Sequence, residues 1–109
     1  MRLRLGGEKF MENKEGILDK VNYLMKISKN KRYNERDIDK ISSLAKEHSN
    51  HMVLGRVFGY SVAEYAIATL KWLDTDRTKK IFNDVYITLG TEQKKNVNTL
   101  IDREIYKEY

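Results

Sequence analysis

The chain has no cysteine and no proline among its 109 residues. Without cysteine there is no disulfide framework and no thiolate zinc module. Without proline no ring interrupts a helical backbone, and with 34% charged residues the composition favours uninterrupted helices. A long apolar run free of charge is also lacking. The most apolar stretch, Met52 to Leu73, is long enough to cross a bilayer but carries Arg56, Glu64 and Lys71. Each mid-span charge costs ~2.5–3.5 kcal/mol, so a membrane helix is not expected. The opening residues, MRLRLGGEKF, lack the apolar core of ~7–15 residues that a secretory signal needs. A cytoplasmic protein is therefore expected. No GxSxG, phosphate loop, GxGxxG or HExxH occurs, so no enzymatic activity and no cofactor are expected.

What remains is a single-domain length and a strong helical pattern. Residues 1–10 read as an N-terminal extension without fixed structure, and 11–109 as one helical domain. Five segments show helical periodicity. The first, about Asn13 to Asn30, carries an apolar stripe of Ile17, Leu18, Val21, Leu24 and Met25. The second, about Glu35 to His48, starts at the N-cap Asn34 with Asp37 three residues on, and buries Ile38, Ile41, Leu44 and Ala45.

The third runs from about His51 to Leu73. Wound as one helix, it sorts Leu54, Phe58, Val62, Tyr65 and Trp72 from Arg56, Tyr60, Glu64, Lys71 and Asp74. Gly55, Gly59 and Ala63 then line a seam for a closely approaching helix. A break near Gly59 is the competing reading. The fourth segment, about Arg77 to Leu89, buries Ile81, Phe82, Val85 and Leu89. Gly90 is its expected C′ residue, and Thr91 the expected N-cap of the fifth, about Glu92 to Lys107, with Val97, Leu100, Ile101 and Ile105 inside. The expected fold is thus all-α: a compact five-helix domain with a long central third helix. A lesser alternative pairs the β-branched run Val85–Leu89 with Met1–Leu5 as a small β-wing.

Lysine and arginine number 21 against 16 acids, a formal charge of +5. Four of those five charges lie in residues 26–36, KISKNKRYNER, where Lys26, Lys29, Lys31, Arg32 and Arg36 face only Glu35. Cations neutralise phosphates and release counterions, and Asn30, Asn34 and Ser28 add hydrogen-bond donors. The N-terminus of the second helix adds amides at the same place. Tyr33 is a candidate to stack or to bind a phosphate. A solvated loop serving solubility is the bland alternative.

His48-Ser49-Asn50 is a connection short enough for a helix-turn-helix between the second and third segments. Its reading helix would present His51, Arg56 and Tyr60. The residue pattern is poor, with Gly55 and Asn50 where apolar residues are usual. A second candidate, Val85–Ile101, fits less well. His48 and His51 make a weak metal pair, and no metal is expected. Glu64, among apolar neighbours, is read as an ion-pair partner or an exposed carboxylate rather than an acid–base group.

The reading that follows is a small basic DNA-binding protein, a transcription regulator or accessory factor. Lys26, Lys29, Lys31, Arg32, Tyr33 and Arg36 would hold DNA, with Arg56 and Tyr60 as weaker base contacts. The apolar stripe of the fifth helix either covers the first helix or pairs across a two-fold axis; a homodimer through it is expected, with Tyr106 and Tyr109 as anchors. The alternative is a protein-binding helical module: an inhibitor, an immunity protein or an adaptor of a mobile element.

Overall fold

The computed structural model describes residues 5–49 and 56–109. Helix α1 (Leu5–Asn30) is the longest, at 26 residues. It begins inside the segment read as an extension, while Met1–Arg4, half of the alternative β-wing, lie outside the described residues. Its buried stripe is Val21, Leu24, Met25 and Ile27. Leu18, expected in that stripe, is 48% exposed, whereas its neighbour Ile17 packs partly buried against the core. The 26 residues of the helix span about 39 Å. It ends where Lys31 turns left-handed (φ 57°) and its amide still bonds the Ile27 carbonyl at 2.8 Å.

Helix α2 (Glu35–Lys46) forms as its sequence demands. The Asn34 side chain accepts from the Asp37 amide at 3.0 Å, and the Asp37 carboxylate accepts from the Asn34 amide at 2.9 Å. This capping box satisfies two backbone donors reciprocally. Ile38, Ile41, Leu44 and Ala45 are all buried, as expected. A 3-10 turn over Glu47–Ser49 follows.

The expected long third helix is corrected. Its N-terminal part is a hairpin, β1 (Arg56–Val57) and β2 (Tyr60–Ser61), with Arg56 opposite Ser61 and Val57 opposite Tyr60. The turn between them needs positive φ at Phe58 (54°) and Gly59 (90°). Gly59 therefore serves the turn and not a helix seam: nothing lies within 4 Å of where its Cβ would stand. Gly55 lies outside the described residues. Helix α3 (Val62–Leu73) starts only here, at a second capping box. The Ser61 hydroxyl accepts from the Glu64 amide at 3.1 Å, and Glu64 accepts from the Ser61 amide at 2.9 Å.

α3 is short but central. All of it except Lys71 is buried, so it is apolar on every side, as a core helix must be. Helices α1, α2, α4 (Asp76–Tyr86) and α5 (Thr91–Arg103) all pack on it. Ala63, Ala66 and Ala68 keep its surface low enough for that crowding. Between α1 and α3 the Ser28 hydroxyl donates to the Leu24 carbonyl (2.8 Å) and lies 3.2 Å from Thr69 Oγ1. Among the described residues every buried side-chain nitrogen and oxygen has a partner.

Thr75 caps α4 through Thr78, and Val85–Tyr86 complete the helix, so the β-branched run is not a strand. α5 differs at its start: Gly90 is the N-cap and Thr91 lies inside the helix, with no side-chain cap. It ends earlier than expected, at a left-handed Glu104 (φ 47°), and Ile105–Glu108 form a 3-10 turn. Among the described residues the chain is thus an all-α five-helix domain with one two-stranded hairpin. Among the described residues no helix is long and apolar enough to cross a membrane.

Candidate nucleic-acid interface

The bend between α1 and α2 gathers part of the basic cluster. Lys26, Asn30 and Arg32 line an open cleft of about 320 Å3 together with Tyr23, Ile27 and Asp37. The one carboxylate there is already engaged. Its Oδ1 accepts the Tyr23 hydroxyl at 2.6 Å and its Oδ2 accepts the Asn34 amide. These bonds, the Tyr23 hydroxyl foremost, hold the Asp37 carboxyl below its ordinary pKa. Burial, then the bond to Asp37, pushes the Tyr23 hydroxyl above its own. At neutral pH the cleft therefore presents a neutral phenol, an occupied carboxylate and two long cationic side chains.

Two features sharpen this positive face. Glu35 and Asp39 on α2 pair with Arg77 of α4, the Asp39 contact at 2.7 Å, so these acids answer to another helix. Such exposed pairs add only ~0–1 kcal/mol; their effect is one of placement. Lys40 lies with its Nζ 4.4 Å from the centre of the Tyr23 ring, beside the cleft. Sequence reasoning missed Lys40, although its spacing of four from Arg36 puts both on one helix face.

The rest of the cluster divides. Lys31 Nζ donates to the Trp72 carbonyl at 2.7 Å, closing the C-terminal end of α3. Lys29 Nζ donates to the main-chain oxygen of Tyr109. Lys31 thus meets a backbone carbonyl that the last turn of α3 leaves without an intrahelical partner. Tyr33 is half-buried against the core. Arg36 is exposed on the first turn of α2. The expected amides at the start of α2 are partly taken, since Asn34 and Asp37 use theirs in the capping box.

Arg56 and Tyr60 are not on a reading helix, and the helix-turn-helix they would have served is corrected: both lie on the hairpin. Arg56 donates to the Gly59 carbonyl at 2.9 Å and pairs with Glu64 at 3.5 Å. His51, the third expected contact, lies outside the described residues. Glu64 is 1% exposed, not on a polar face. Its Oε2 accepts the Asn96 amide at 3.0 Å, so it ties the hairpin, α3 and α5 together. His48 Nε2 lies 3.0 Å from Thr88 Oγ1, and the His48 carbonyl accepts from Gln93. Among the described residues no group of three or more potential metal ligands is assembled.

The apolar stripe of α5, expected to pair with a second copy or to cover α1, packs instead on α3. Tyr106 stacks edge-on against Trp72, with ring centres 4.8 Å apart, inside the same chain. Tyr109 instead joins Phe58, Tyr60, Tyr65 and Arg103 around a second recess of about 270 Å3. Phe58, expected in the core, is 83% exposed there. Compared with known protein families, curated proteins and solved structures, the chain matches none.

Proposed function

We propose that this is a small basic DNA-binding protein that grips the phosphate backbone at the α1–α2 bend. Lys26 and Arg32 supply the charge, Asn30 a neutral donor, and Arg36 and Lys40 extend the same face. The observation that carries the reading is the convergence of Lys26, Asn30 and Arg32 on one cleft whose only carboxylate, Asp37, has both oxygens occupied. Phosphate contacts of this kind position a protein without reading sequence. The role fits an accessory factor or regulator whose base selectivity comes from other residues.

The test is anisotropy of a labelled duplex of about 20 base pairs at ~50 mM salt. Lys26→Glu and Arg32→Glu are each expected to weaken binding about tenfold. Lys31→Ala is expected to leave affinity unchanged, because that cation closes α3. Absence of binding, or equal binding by the reversed variants, rejects the reading.

A further inference from the structure

The second recess is built from π-faces. Phe58, Tyr60, Tyr65 and Tyr109 line it with Arg103, and Ile105 and Glu108 complete it. Tyr65 is fixed: its hydroxyl donates to the Val57 carbonyl at 2.8 Å, and its ring meets Tyr60 edge-on at 6.0 Å. The volume of about 270 Å3 lies just under the ~300–1,000 Å3 of drug-sized pockets, which suits one planar ring system.

Among the described residues, burial gives no reason for phenylalanine at position 58. The hairpin has a two-residue turn with positive φ at both positions, a geometry that favours Asn, Asp or Gly at the first. A bulky aromatic side chain is strained there. With 83% of Phe58 exposed, burial does not offset that strain. The recess also joins the basic bend. Tyr109, on its rim, receives Lys29 at its main-chain oxygen, and Lys29 lies one helical turn from Lys26.

We propose that this recess takes an unpaired base of a DNA strand whose phosphates run over Lys26 and Arg32. Phe58 and Tyr109 are the stacking faces and Arg103 the cation at the rim. The inference rests on the phosphate-binding reading and adds its substrate class: single-stranded DNA. Aromatic stacking tolerates any base, so little sequence preference follows from this recess.

The experiment compares a labelled oligothymidylate of about 12 nucleotides with an abasic strand of equal length, using the full chain. The wild type is expected to bind the oligothymidylate more tightly than the abasic strand. Phe58→Asn should weaken oligothymidylate binding roughly 5- to 150-fold, the effect of one lost stack, and leave abasic binding unchanged. Its unfolding temperature should be unchanged or higher, since Asn suits the turn. Tyr109→Ala should give the same selective loss. Lys26→Glu should weaken both strands. Equal binding of the two strands by the wild type, no selective effect of Phe58→Asn, or a lowered unfolding temperature for that variant overturns the inference while leaving the phosphate reading intact. If neither strand nor duplex binds, both fall together.

Discussion

Buried Glu64 shows how one residue can hold three elements. It completes the cap of α3, pairs with Arg56 on β1 and accepts from Asn96 on α5. Glu64→Ala would take the acceptor from the half-buried Ser61 and Asn96 donors and is expected to cost ~1–3 kcal/mol in urea unfolding. Glu64→Gln keeps one acceptor oxygen and should cost less; equal losses would count against this role. Asp37 offers a second residue-scale test. Its folded pKa lies below the ordinary 3.8, because the Tyr23 hydroxyl and the Asn34 amide bond the charged form. Ionised Asp37 therefore stabilises the fold above that pH, and the contribution is lost as pH falls through the lowered value. Tyr23→Phe should move the Asp37 titration, followed by NMR, back upward. An Asp37 that titrates at its ordinary value in the wild type contradicts the geometry.

At the scale of elements, α3 is a packed axle, and its alanines set the spacing of four helices. Ala66, fully buried, is expected to cost ~1–3 kcal/mol when enlarged to Leu, read by thermal unfolding. Lys31→Ala should cost ~0.5–1 kcal/mol through the open end of α3. The α2 cap was legible because Asn34 and Asp37 are three apart and act on one another. The start of α3 carried the same kind of signal, Ser61-x-x-Glu64, but periodicity obscured it. Wound as one helix, Arg56, Tyr60, Glu64 and Lys71 fall on one polar side, and that regular sorting carried the helix through Gly59. The roles of Lys29 and Lys31 could not be read. Their partners, Tyr109 and Trp72, lie 80 and 41 residues away, and only the folded chain brings them close. Likewise Arg77, distant in sequence from Glu35 and Asp39, is the residue that pairs with those acids.

On the scale of the whole molecule, the charge excess is a local device. Outside residues 26–36 the chain carries a formal net charge of only +1, so under the proposed function any attraction to polyanions rests chiefly on the bend. The most direct measurement is the slope of log affinity for DNA against log salt between ~50 and ~200 mM, for the wild type and for Lys26→Glu/Arg32→Glu. Each phosphate neutralised contributes about −0.9 on duplex and about −0.7 on a single strand. The double variant is expected to lose roughly two such increments. An identical slope in both proteins, or affinity independent of salt, would contradict a phosphate grip at the α1–α2 bend.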